Sequence, residues 1–201
     1  MQGIFYLFEK FTKLVELNIF VDTEQNSQEL DFSNTQLKIF KCSANGIKII
    51  GLPNCIRHLE ITHEYVYKSF RDIYDNRRSI LRIDTELPKL EHIVVEKLDI
   101  YKLPSLPKLK YIKLSDVDTA GLPQVYPETL IVYKANVKHL LDKMTNLKHL
   151  SLLRTDIIKL PDNLTNLDTL DIVQDMISTL PKTYNKLKKL CISSGTNIIE
   201  I

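Results

Sequence analysis

Leucine and its apolar substitutes recur along almost the whole chain at a short, nearly constant spacing, and a fixed period near twenty residues decides architecture before local preference does. The pattern L-x-x-L-x-L, with Ile, Val, Phe, Tyr, Cys or Ala admitted for Leu, reads as Leu14/Leu17/Ile19, Leu37/Phe40/Cys42, Ile56/Leu59/Ile61, Leu90/Ile93/Val95 and Leu109/Ile112/Leu114. It continues as Leu130/Tyr133/Ala135, Leu147/Leu150/Leu152, Leu167/Leu170/Ile172 and Leu187/Leu190/Ile192. Successive starts lie 23, 19, 34, 19, 21, 17, 20 and 20 residues apart. A unit this short holds one strand and its return but no pair of helices, so the units are expected to stack into a solenoid with a shared apolar core.

Several units continue with a second apolar pair and then Leu-Pro, as in Leu98/Ile100 before Leu103-Pro104 and Ile157 before Leu160-Pro161. Seven of the eight prolines follow a leucine, and a residue before proline is driven toward extended geometry. The side opposite the strands is therefore expected to be mostly extended or 3₁₀ chain.

From about Leu14 to about Ile199 these residues resemble the leucine-rich-repeat family. Units such as Leu103-Pro-Ser-Leu-Pro-Lys-Leu109 look most like the roughly twenty-residue class of bacterial or viral effectors, and Leu160-Pro-Asp-Asn-Leu-Thr-Asn-Leu167 also resembles intracellular signalling repeats. The resemblance implies an α/β solenoid: a right-handed superhelix with a curved parallel β-sheet of about nine or ten short strands, forming a single domain over 1–201. One column departs from that family, which places Asn or Cys three residues after the last strand leucine. Here it reads Asp22, Asn45, Glu64, Leu98, Val117, Thr155, Asp175 and Gly195, so other groups must satisfy the turns and an irregular solenoid is expected.

Within the 34-residue spacing, Val66, Phe70 and Ile73 stand at helical intervals, which predicts a helical insertion over 65–78. Leu81-x-Ile83 after it reads as half a repeat and one extra strand. A solenoid needs its end repeats covered; residues 1–13, with Ile4, Phe5, Leu7, Phe8 and Phe11, are a candidate N-terminal cap. No such cap is evident after Ile192, and the exposed last strand is expected either to be covered by a second copy of the chain, as a homodimer, or to reflect truncation.

Charge and composition narrow the function classes. Lys plus Arg number 27 against 25 Asp plus Glu, a net +2, so no strong field favours nucleic acid or an anionic membrane as partner. No apolar run reaches the roughly 20 residues of a membrane helix, and the first residues lack the features of a cleavable signal. Cys42, Cys55 and Cys191 are odd in number and scattered, which favours a reducing compartment. A cytoplasmic location is expected, the host cytosol for an effector, with secretion by a route lacking a cleavable signal left open.

Side chains alternate faces along a strand, so the leucines enter the core and the residues between them face the concave surface. On the register above, the candidate partner-binding residues are His58, Arg82, His92, Val94, Tyr111, Lys113, Val132, Lys134, His149 and Leu153. Nine strands about 4.8 Å apart make a face roughly 40 Å long, of a size with one side of a standard protein interface, about 800 Å². Tyr and Arg are enriched where binding energy concentrates.

Catalytic and cofactor chemistry finds little support. His58 and His92 would be separated by the Leu81 strand, about 10 Å apart, too far to share a zinc ion. Cys191 faces the concave side without a neighbouring histidine, and Cys42 takes a core position, where a thiol is inert. No phosphate-cradling glycine motif is present among the five glycines. No cofactor and no metal are expected, and the chain reads as non-enzymatic. Two functions follow: an effector that grips a host protein, or an endogenous intracellular scaffold or regulatory subunit that positions an enzyme.

Overall fold

The computed structural model describes residues 11, 13–21, 28–44, 47–63 and 79–193. Its architecture is a parallel β-solenoid. Thirteen strands occur among these residues: β1 (Glu16–Val21), β2 (Gln28–Asp31), β3 (Ile39–Ala44), β4 (Ile47–Gly51), β5 (His58–Thr62), β6 (Ser79–Arg82), β7 (His92–Glu96), β8 (Leu98–Lys102), β9 (Tyr111–Ser115), β10 (Thr129–Tyr133), β11 (His149–Leu153), β12 (Thr169–Val173) and β13 (Lys189–Ile192). Between β10 and β11 lies α1 (Lys138–Leu141), a single helical turn and the one α-helix among the described residues. No described helix is long and apolar enough to cross a membrane.

Nine strands form the main sheet in the order β1-β3-β5-β7-β9-β10-β11-β12-β13, every neighbouring pair parallel. The register aligns the second and third leucine positions of each unit, for example Ile112 with Leu130 and Leu150, and Leu114 with Val132 and Leu152. Both columns are sealed from water from Phe40 to Ile172, and the residue between them faces out. The core lies between this sheet and a wall of turns, where Leu52, Leu87, Leu103, Leu122 and Leu160 of the Leu-Pro pairs are buried. Before the sheet strands the chain tightens into i→i−3 turns, such as Leu90 N–H to Leu87 O and Leu167 N–H to Leu164 O, both 3.2 Å, which is the short return that a period near twenty demands.

Two short second sheets, β2-β4 and β6-β8, flank the same core in the N-terminal half. They correct the reading of Leu81: β6 pairs with β8, not with a main-sheet strand, and β5 pairs directly with β7. The long spacing is now explained, because β8 begins two residues after β7 ends whereas 63–78 intervene between β5 and β6. The extra residues are an insertion between the two strands of one repeat. The predicted helix over 65–78 lies outside the described residues, as do most of the proposed N-terminal cap and everything after Ser193. Past β8 the second-sheet pairing runs on to Gly121, whose N–H bonds Ile100 O at 2.8 Å; a Cβ there would collide with the Tyr101 carbonyl.

A second correction concerns the sixth repeat, set by spacing at Leu130/Tyr133/Ala135. The backbone ladder pairs Thr129 with Tyr111 and with His149, so the unit is Pro127/Leu130/Val132, with buried Pro127 in the first leucine slot. Four consecutive apolar residues, Leu130 to Tyr133, hide the alternation; the main-chain hydrogen bonds determine it.

The turns leaving the main sheet share a conformation. Lys97, Asp116, Lys134, Arg154 and Gln174, each one residue past its strand, have φ between 50° and 58°. Non-glycine residues adopt this region at a cost of about 1 kcal/mol. The bend lets the N–H of Lys97, Asp116, Lys134 and Arg154 donate to the last strand carbonyl of the next repeat, at 2.7 to 3.0 Å. Three residues past the third core position of each unit, Leu98, Val117, Ala135, Thr155 and Asp175 are buried. Thr155 donates both N–H and Oγ1–H to Asp175 Oδ1, at 2.6 and 2.7 Å.

Candidate functional site

The open face of the main sheet carries three columns of outward side chains. The first runs Glu16, Ile39, His58, His92, Tyr111, Thr129, His149, Thr169, Lys189; the second Asn18, Lys41, Glu60, Val94, Lys113, Ile131, Ser151, Asp171, Cys191. At the strand ends lie Phe20, Ser43, Thr62, Glu96, Ser115, Tyr133, Leu153 and Val173.

Side chains stand nearly perpendicular to a sheet, so register partners on strands about 4.8 Å apart meet. The rings of His58 and His92 stack with centroids 5.7 Å apart, and Tyr111 lies against His92 at 5.7 Å. Beside them Lys41 pairs with Glu60 at 3.5 Å and Lys113 with Glu96 at 2.6 Å. Glu96 holds the Lys113 ammonium above its ordinary value. Val94 points outward between Glu60 and Lys113, yet it is only 7 % exposed, because the longer side chains beside it cover a short β-branched one. From Tyr111 the apolar character moves diagonally through Ile131 to Tyr133, Leu153 and Val173, all half-buried.

Of the expected face residues, His58, His92, Tyr111, Lys113, His149 and Leu153 lie on this open face. Val132 does not: it is fully buried, and Ile131 and Tyr133 take the outward places. Arg82 belongs to β6 in the second sheet, where it bonds Asp84 at 2.6 Å and lies 5.9 Å from the Tyr101 ring. Lys134 is a turn residue past β10 whose ammonium sits 5.2 Å from the Tyr133 ring. The roughly 10 Å separation expected for His58 and His92 is absent because no strand stands between them. Among the described residues no three His, Cys, Asp or Glu side chains are grouped so as to hold a metal ion. Cys42 is buried, which pushes its thiol up to about 11. Exposed Cys191 lies beside Asp171, and β12 and β13 carry no histidine.

Sequence reading missed a rail of charge along the edge where the strands begin. The residues immediately before β5, β7, β9, β10, β11, β12 and β13 are Arg57, Glu91, Lys110, Glu128, Lys148, Asp168 and Lys188, strictly alternating in sign. Each N–H donates to the carbonyl of the preceding rail residue, Arg57 to that of Lys38, at 2.8 or 2.9 Å. Side chains pair across repeats: Arg57–Glu91 at 3.1 Å, Lys110–Glu91 at 3.6 Å, Lys148–Glu128 at 3.0 Å and Lys188–Asp168 at 3.3 Å. An open groove of about 580 Å³ runs along the later part of the rail, where Lys110, Glu128, Lys148 and Asp168 line it. The signal was present at the position before each strand, but it needed the correct repeat starts to be seen.

Compared with known proteins, the chain matches no family model and no curated sequence.

Proposed function

We propose that this chain is a non-enzymatic leucine-rich-repeat module, an α/β superhelix of the short Leu-Pro type, that binds a protein partner on the concave face of its main sheet. The observation that carries the reading is the diagonal apolar band from His58, His92 and Tyr111 through Ile131 to Tyr133, Leu153 and Val173, rimmed by ion-paired side chains. An aromatic and aliphatic centre with a polar rim is the anatomy of a protein interface. Eight strand steps at about 4.8 Å extend that face to roughly 40 Å. The short Leu-Pro units favour an effector that acts on a host protein in the cytosol.

The test begins with immobilised full chain, candidate host lysate and mass spectrometry, followed by calorimetry with the purified partner. Tyr111→Ala and Lys113→Glu should each weaken binding by about 1 to 3 kcal/mol, as residues near an interface centre do. Lys102→Glu is the control, since Lys102 is exposed in the second sheet and pairs with Asp84. Loss of binding with Lys102→Glu alone, with both other variants binding normally, would move the docking surface to the other side of the solenoid.

A further inference from the structure

Two histidines of the first outward column touch, and that contact depends on their charge. His58 on β5 and His92 on β7 are register partners, their planes 23° apart, and Tyr111 on β9 extends the stack. Neutral imidazoles stack as flat, uncharged rings. Two imidazolium ions at 5.7 Å repel each other.

Of the groups around the pair, Glu60 alone favours a charged His58, and it is shared with Lys41. On β3 Ile39 stands opposite His58 and Lys41 opposite Glu60; Glu60, on β5 itself, has Oε2 3.7 Å from His58 Nε2, and His92 faces His58 from β7. Farther along lie Glu96 on β7 and Lys113 on β9, with Lys38, Arg57 and Glu91 on the adjoining edge. Lys41 already shares Glu60, and Lys113 holds Glu96. These four charges cancel and Lys38, Arg57 and Glu91 add a net positive charge, so every proton that the histidines take up adds to a positive patch. His58 Nε2 is buried, and burial first, then Lys41 and His92, lowers its proton affinity from the ordinary 6.5, while Glu60, with Oε2 3.7 Å away, pulls the other way.

We propose that the His58–His92 stack is a charge-sensitive switch in the open face: uncharged rings stack, and when acid protonates both, the two like charges part the rings and leave the face cationic. Each proton comes from water and binds the unprotonated ring nitrogen of one imidazole; no other bond changes. The consequence, release of an apolar partner surface in acid, rests on the docking reading above. The switch itself is a property of the free protein.

Proton NMR of the histidine Cε1–H signals, on the full chain without any partner, tests it between about pH 8 and about pH 5, the range in which histidine titrates. In His92→Gln the His58 midpoint should rise by about half a pH unit or more, the Coulomb effect of removing a charge at this distance even in a water-like medium. The Tyr111 ring signals of the native chain should move with the titration of the pair, and in His58→Gln that movement should shrink. Far-UV circular dichroism confirms that each variant is folded. A His58 midpoint unmoved in folded His92→Gln, or Tyr111 signals that ignore the titration, would overturn the switch. Either result leaves the docking reading standing, because that reading fails only if Tyr111→Ala and Lys113→Glu bind normally.

Discussion

Ile131 and Val132 are consecutive, both apolar and both β-branched, and the structure assigns them opposite fates. Val132 is fully buried between its register partners Leu114 and Leu152, themselves fully buried, while half-buried Ile131 lies between Lys113 and Ser151 on the open face. Val132→Ala removes two methyl carbons from a sealed layer, worth about 1.6 kcal/mol of transfer free energy at about 0.8 kcal/mol each. The cavity left behind raises the cost to about 2 to 3 kcal/mol. Ile131→Ala removes more carbon but from a surface that water already reaches, and should cost less than about 1 kcal/mol. For a chain of this size about 2 to 4 °C of melting temperature accompanies each kcal/mol, so Val132→Ala should melt about 4 to 12 °C lower and Ile131→Ala at most about 4 °C lower. Thermal and urea unfolding followed by far-UV circular dichroism reads both; the two probes together matter because a solenoid can lose repeats piecemeal. If the Ile131 variant proves as damaging as the Val132 variant, the register argued for this repeat is wrong.

Charge reversal on the rail should be felt in a salt-dependent way. Glu128→Lys sets three cations in a row with Lys110 and Lys148, so it should lower the melting temperature at low ionic strength, regain part of the loss at high salt, and be rescued by adding Lys148→Glu; an effect independent of salt would show that the rail does not act through charge. Stability should fall as pH drops from about 7 through the ordinary histidine value of 6.5: the unfolded chain takes up protons there while His58 and His63, held low chiefly by burial, resist them in the fold. Urea midpoints measured across that window should decline toward acid, with a shallower decline in His58→Gln, and a flat profile would contradict the burial argument. Thr155→Val takes one of two Thr155 hydrogen bonds from the buried Asp175 carboxylate, which desolvation already drives toward its neutral form, and should cost about 1 to 2 kcal/mol in the same urea assay; no change would mean that this pair does not hold the two neighbouring turns together.

The solenoid was legible because its cause is one-dimensional. A repeat that cannot bury its apolar face alone must show leucines at constant spacing wherever it stacks, and Leu37, Leu90, Leu109, Leu147 and Leu167 occupy the places that the spacing assigned. His58, His92, Tyr111, Lys113, His149 and Leu153 were legible for the same reason, since alternation along a strand fixes their face once the leucines are placed. What failed had no such periodic signal. Pro127 fills a leucine slot as well as a leucine does, and the apolar run Leu130 to Tyr133 suits either phase, so the hydrogen-bonded ladder alone placed Val132 inside. Leu81 and Ile83 carry the same spacing in either sheet; only pairing with β8 shows that they flank the core from the second sheet and take Arg82 away from the face. Strand order is a long-range choice made by backbone partners far apart in sequence. It brought His58 against His92 across thirty-four residues and aligned the alternating charges of the rail, neither of which local pattern can reveal.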